Sequence, residues 1–351
     1  MSGLIITTLV ILVFIVIYQI AQASEYTTIL RGEKQVNLRT NRLMAWLLVI
    51  FFILGLIGIY QCHVYLMDKM LPEPASIQGE KYESMSMATM IILGIVFFAT
   101  QITLFYFIFR YQYSEKRKAY FYTHNYKLEI LWTTIPAITL IILVVVGLKN
   151  WFHITGPAPK DSLIVEVVGK QFNWIIHYPG PDGILGKRDF RLISDANNVI
   201  GLDWSDPYSK DDIIMQNGEM HIVKDRPVHL VINSRDVVHD VGLPHFRMKM
   251  DAVPGITTTM WFTPTITTKE MQKKTKNPNF VYEIACDQLC GKGHYSMRGT
   301  VVVQTAAAFK SWIAQQKSYY SQNVEQKPDA TQGTANSDST AKAKTPLAAS
   351  L

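Results

Sequence analysis

The chain has 351 residues, 48% of them hydrophobic, a formal net charge of +6 and only 3 cysteines. That length holds more than one domain, and three cysteines exclude a disulfide-stapled framework. The apolar residues are gathered into long blocks near the N-terminus with basic residues between them. The positive charge therefore reads as a membrane-topology signal and gives no reason to expect a nucleic-acid partner.

Four apolar blocks come first, at 4–20, 44–67, 87–109 and 131–146. Each is near the length that crosses about 30 Å of hydrocarbon, so four transmembrane helices are expected. Ala21-Gln22-Ala23 is similar to a small-residue cleavage site, which would make block one a signal peptide. Against this, Met1-Ser2-Gly3 carries no basic side chain. Loop 23–43 holds Arg31, Lys34, Arg39 and Arg42, and loop 110–127 holds Arg110, Lys116, Arg117, Lys118 and Lys127. Both loops lie inside only if block one is retained as a span, and the C-terminal half then lies outside. Pro136 predicts a tolerated kink in block four. Cys62, at the end of block two, is expected to be packing.

From Trp151 the composition changes. Short β-branched runs at 162–168, 171–178, 228–232, 257–262, 280–285 and 299–303 alternate with Pro, Gly, Asn and Asp clusters. That pattern predicts an all-β sandwich or barrel. Segment 179–218 is polar and reads as a long surface excursion, with Asp203, Asp206, Asp211, Asp212 and nearby Glu219 lending acidic character. It is expected to be a solvated loop, with docking of a basic partner as the functional alternative. A terminal helix is expected at 306–318. Residues 322–351 lack apolar periodicity and are expected to be disordered. No Cys-x2-Cys-His occurs, so covalent haem is not expected.

The chemistry concentrates in Cys286-Asp-Gln-Leu-Cys290-Gly-Lys-Gly-His294-Tyr-Ser-Met297. Two thiols, an imidazole and a thioether within a dozen residues form a donor set that copper prefers over harder cations. The preceding apolar run delivers Cys286 from a strand into a glycine-bearing loop. A disulfide or a structural zinc site would use some of these residues, and Met297 alone would be ordinary core filler. Neither alternative accounts for Met297 together with a distant His239, which ends Asn233-Ser-Arg-Asp236-Val-Val-His239.

Asp236-Val-Val-His239, Met248-Lys-Met-Asp-Ala-Val-Pro-Gly255 and Cys-x3-Cys-x3-His-x2-Met together resemble the binuclear copper (CuA) domain of cytochrome c oxidase subunit II. The resemblance implies a cupredoxin-like Greek-key barrel behind N-terminal transmembrane helices. It implies two copper ions bridged by Cys286 and Cys290, one imidazole each from His239 and His294, a weak axial Met297, and the backbone carbonyl of Gln288. Blocks three and four match the two spans usual in the family. The expected organisation is therefore 1–84 as two additional helices with loops, 85–150 as the family hairpin, 151–317 as the copper domain and 318–351 as a tail.

By the same resemblance, this is the electron-input subunit of a haem–copper oxygen reductase. Its expected partners are a cytochrome c-type donor, the catalytic subunit I and other oxidase subunits. The expected location is a bacterial-type inner membrane with the copper domain outside. Glu129, within Thr123-His-Asn-Tyr-Lys-Leu-Glu-Ile-Leu-Trp-Thr-Thr-Ile-Pro136, matches a carboxylate at a proton-channel entrance; an interfacial Glu paired with Lys127 is the plainer reading. A copper subunit of a nitric oxide reductase and a membrane-anchored copper-binding or delivery protein are the alternative functions. Two departures stand out. Gln288 replaces the Glu whose side chain binds magnesium in relatives, leaving a neutral amide oxygen. Gln171-Phe172-Asn173-Trp174 replaces Gln-Trp-Tyr-Trp, so Phe172 takes the electron-input position with Trp174 two residues on.

Overall fold

A computed structural model describes residues 2–325 apart from Gly32 and Glu115. It consists of two units, Met1–Pro74 with Gln78–His153, and Ala75–Ile77 with Ile154–Leu351. The helical unit contains α1 (Ser2–Arg31), α2 (Glu33–Leu66), α3 (Ile77–Arg110) and α4 (Tyr126–Thr155). Among the described residues, three stretches are long and apolar enough to cross a membrane, Asn37–Leu66, Ile77–Arg110 and Tyr126–Thr155. The first block supplies a shorter apolar helix, Ile11–Thr27, so three of the four expected spans meet the length requirement. A helix suits hydrocarbon because it satisfies its own backbone groups. α4 starts where Asn125 Oδ1 accepts the Leu128 N–H at 3.2 Å, an N-cap, and it runs through Pro136. α2 and α3 are antiparallel: Trp46 meets Phe109 edge-on at 4.9 Å and Phe52 stacks on Phe105 at 4.6 Å. Cys62, expected to be packing, is exposed.

The second unit is a two-sheet sandwich. Its strands are β1 (Leu163–Lys170), β2 (Asn173–Tyr178), β3 (Ile213–Met215), β4 (Glu219–Val223), β5 (Val228–Ser234), β6 (His239–Leu243), β7 (Met248–Ala252), β8 (Thr258–Phe262), β9 (Tyr282–Cys286) and β10 (Arg298–Gln304). One sheet has the order β3-β2-β1-β5-β8 and the other β4-β10-β9-β6-β7. β1 runs parallel to β5 and β10 parallel to β4, while the remaining pairs are antiparallel. Alternate residues of both sheets fill the space between, including Val165, Val167, Trp174, Ile232, Val241, Ile284 and Val301, all essentially inaccessible. Burying each aliphatic side chain contributes about 1.5–3 kcal/mol. Two short helices follow, α5 (Thr268–Thr275) and α6 (Ala306–Ile313). α5 begins with a capping box formed by Thr267 and Glu270.

Segment 179–218 differs from the solvated loop expected. Val199, Ile200, Leu202 and Ile214 form a second small core with Val168 and Ile175, closed by Tyr319. Its carboxylates are largely consumed in holding its own backbone. Asp206 accepts from the Lys187 N–H at 2.8 Å, and Asp203 from the Ser205 N–H at 2.9 Å. Asp195 bridges Lys170 and Arg235. Asp206 and Asp212 are buried, so the five acids do not form one open acidic face.

Asp212 lies 2.8 Å from Nε2 of His177, whose Nδ1 meets Glu166 Oε2 at 2.6 Å. Glu166 is also held by Arg188 and by Asn233 Nδ2. Burial works against the His177 charge, but Asp212 and Glu166 outweigh it and raise its pKa to about 9. Residues 318–325, expected to belong to the tail, include Tyr319, which is buried and whose N–H donates to the Asp212 carbonyl at 2.7 Å. The rest of that expectation, 326–351, lies outside the described residues.

Candidate metal centre

The hydrogen-bonded sheet brings the donors together. β6 pairs with β9 so that Val241 faces Cys286, which sets His239, at the start of β6, beside the end of β9. The loop after Cys286 is closed at its base, where the Cys286 N–H donates to the Met297 carbonyl at 3.1 Å. Inside it, the Met297 N–H donates to the His294 carbonyl at 3.1 Å, forming a tight turn that turns His294 back toward Cys290.

The two thiols are free. Their sulfurs are 3.8 Å apart, well beyond the roughly 2.05 Å of a disulfide. Cys286 Sγ is 3.8 Å from His239 Nδ1 and 3.2 Å from the Gln288 carbonyl. Cys290 Sγ is 3.7 Å from His294 Nδ1 and 3.8 Å from Met297 Sδ. Each thiol thus faces one imidazole and one weaker donor. The ligand atoms of His239, Cys286 and Cys290 all lie within 4.8 Å of one another. Burial, followed by the neighbouring Cys286, pushes the Cys290 thiol up to about 11. Two adjacent buried thiolates need a cation, and a metal supplies it by displacing their protons. Softness of sulfur and imidazole donors fits copper.

Supporting residues fix the imidazole that matters most. His239 is fully buried, and its Nε2 meets Asp236 Oδ1 at 2.8 Å, leaving Nδ1 for the metal. Asp236 in turn accepts the Gln171 N–H at 2.8 Å and the Val237 N–H at 2.7 Å. The Gln171 side chain donates to the Cys290 carbonyl at 2.6 Å, so one residue braces both halves of the centre. Gly169 of β1 permits the close approach of the imidazole, because a Cβ there would fall 2.6 Å from His239 Cδ2. Sequence reasoning placed Asp236 and Gln171 in motifs without giving either this task, and passed over Gly169.

The remaining expected residues separate into two groups. Phe172 is 38% exposed and lies against the Cys286–Met297 loop, where a Cβ on Gly293 would fall 2.5 Å from its ring. Trp174 is fully buried, its ring edge-to-face with His239 at 6.0 Å. The Gln288 side chain points outward and is exposed. Glu129 sits in the first turn of α4, in the other unit, with no ion-pair partner among the described residues, Lys127 included.

Fold and site together define a membrane-anchored, cupredoxin-like protein with a sulfur-rich metal centre. The family model "Cytochrome C oxidase subunit II, transmembrane domain" matches residues 63–149, and "Cytochrome C oxidase subunit II, periplasmic domain" matches 163–306. The chain belongs to the cytochrome c oxidase subunit II family, and is a subunit of an oxidoreductase complex with an external domain. It is 35% identical over 228 residues to the "Alternative cytochrome c oxidase subunit 2" of Bradyrhizobium diazoefficiens, covering 65% of this chain and 77% of that one. It is 31% identical over 193 residues to the "Probable cytochrome c oxidase subunit 2" of Rickettsia prowazekii, covering 55% and 54%. Among solved structures, the periplasmic domain of subunit II of cytochrome oxidase of Bradyrhizobium japonicum aligns at 24% identity over 44% of this chain and 94% of its own, with TM-score 0.30.

Proposed function

We propose that the chain is the electron-input subunit of a haem–copper oxygen reductase, holding two copper ions between Cys286 and Cys290. One observation carries this reading: two unbonded thiols 3.8 Å apart, each with its own imidazole and its own weaker donor. A closed zinc site would leave the second half of that set idle. Bound copper supplies one-electron redox chemistry. The residues keep the geometry unchanged while charge passes: β6 and β9 fix two donors, Asp236 fixes the imidazole tautomer, and buried Met297 excludes water. A delivery protein would need donors that let go, and these are braced from behind.

Electrons enter from a cytochrome c-type donor and leave to haem in the catalytic subunit I. Phe172 is the contact on the donor side, because its ring spans from solvent to the copper loop. Trp174, behind His239, holds that imidazole in place and has no exposed surface for a donor. Gln288 offers its backbone carbonyl, and its neutral side chain leaves any Mg²⁺ at the subunit boundary with one anionic ligand fewer. Glu129 serves as the collecting carboxylate for protons on the inner side of a bacterial-type inner membrane. The test uses the assembled oxidase. Phe172→Leu should slow reduction by cytochrome c at unchanged copper content. Unchanged input in Phe172→Leu would refute the route.

A further inference from the structure

The outer face of the first sheet carries a cavity that the proposed function leaves unused. Val168 of β1 lies beside Asn233 of β5. Both face away from the main core, because their neighbours Val167 and Ile232 point into it. Segment 179–218 packs over this face through its own small core but does not seal it. It leaves a cavity of about 390 Å³, with Phe190 and Ile193 of the segment and Val168 and Asn233 of the sheet in its walls. That volume lies at the small end of the range for ligand sites, about 300–1,000 Å³. Arg188 and Arg235 line the same cavity.

The two guanidiniums are held in place with donors to spare. Arg188 and Asn233 Nδ2 share one acceptor, Glu166 Oε1, at 2.5 and 2.7 Å, which sets the Arg188 head beside the Asn233 amide. Asn233 is fixed at its other end, where Oδ1 accepts from Thr257 Oγ1 at 2.7 Å. Arg235 donates to the Val199 carbonyl at 3.1 Å and meets Asp195 at 2.6 Å. Of the five N–H donors on each guanidinium, the others have no protein acceptor among the described residues. Both side chains are largely shielded, 24% and 14% exposed, where an ionic hydrogen bond is stronger than in water. The local charge is also out of balance. Protonated His177 with Arg188, Lys170 and Arg235 makes four cations, met by three carboxylates, Glu166, Asp212 and Asp195. We infer that this cavity binds a small organic monocarboxylate, its carboxylate on the Arg188 and Arg235 guanidiniums and its apolar body against Phe190, Ile193 and Val168. One missing negative charge suits a monoanion, and the planar fork of a guanidinium matches a carboxylate. The competing account is that both arginines only tie segment 179–218 to the sheet, which requires no ligand.

The test is calorimetric titration of the copper-free full-length chain in detergent, with benzoate as the probe and benzyl alcohol as its uncharged counterpart. Leaving copper out keeps the result separate from the fate of the electron-input role. Benzoate should bind saturably at a single site, and benzyl alcohol should not bind. Arg235→Met should weaken benzoate about 10-fold or more, the effect of losing a charge-assisted hydrogen bond. Asp195 keeps Lys170 in that variant, so no carboxylate is left unpaired. Ile193→Trp, which fills the cavity and leaves both guanidiniums in place, should weaken benzoate as well. No saturable benzoate binding by the parent, equal binding of benzyl alcohol, or parent-like affinity in either variant would overturn the assignment.

Discussion

Gly169→Ala puts the packing behind His239 to a quantitative test. Gly169 pairs with Trp174 on one side and Ser234 on the other, within β1. An alanine inside a strand normally gains about 0.5–1 kcal/mol over glycine through lower chain entropy. Here its Cβ would fall 2.6 Å from His239 Cδ2 and 2.9 Å from Cγ. The ring has no exposed surface, and its Nε2 is tied to Asp236. Relief therefore requires moving β1 or breaking that bond, and overpacking of this kind costs about 1–3 kcal/mol. For a domain of this size the melting temperature should fall by about 2–4 °C per kcal/mol. The assay is thermal unfolding of the copper-free full chain, in native and His239→Ala backgrounds. With the imidazole gone, Gly169→Ala should become neutral or stabilising, so the two substitutions couple strongly. An equal loss in both backgrounds would show that His239 is not what Gly169 makes room for.

Three further outcomes follow from the same geometry. Asp236→Asn removes the charge that fixes the His239 tautomer, and copper affinity should fall about 10- to 100-fold in a chelator competition; an unchanged affinity would remove Asp236 from the centre. His177, raised to about 9, contributes stability that is complete below its unfolded pKa of about 6.5 and is lost as pH rises through about 9. Denaturant melts across that window should show the loss, and His177→Gln should abolish the slope while costing about 3–5 kcal/mol by removing the buried cation that Asp212 faces, Glu166 keeping Arg188. Tyr319→Ala should loosen segment 179–218, read as faster amide exchange at Val199 and Leu202, because its hydroxyl accepts the Val199 N–H at 3.3 Å and its ring closes the small core of Val199, Ile200 and Leu202; native protection at both amides would contradict that anchoring.

Much of this was legible in the chain, and the reasons differ by element. The apolar blocks announce helices by length alone, and the β-branched runs announce β1, β5, β8 and β10. β6 was hidden because His239-Asp-Val-Gly-Leu243 mixes polar, glycine and apolar residues, all of which face buried surroundings. β3 and β4 were hidden inside or beside a segment whose aspartates imitate a solvated loop; those side chains bond the loop's own backbone instead of water. The donors at the metal centre could be read because soft ligands at fixed spacing are rare. Gln171 and Gly169 could not, since their importance comes from contacts with residues far along the chain.

The central claim is that Cys286 and Cys290 share two copper ions. Electron paramagnetic resonance of the copper-loaded full chain tests it directly. The account predicts the hyperfine pattern of one unpaired electron shared equally by two copper nuclei, lost in both Cys286→Ser and Cys290→Ser. A spectrum of a single isolated Cu(II), or a silent chain that takes up zinc in preference, would contradict it.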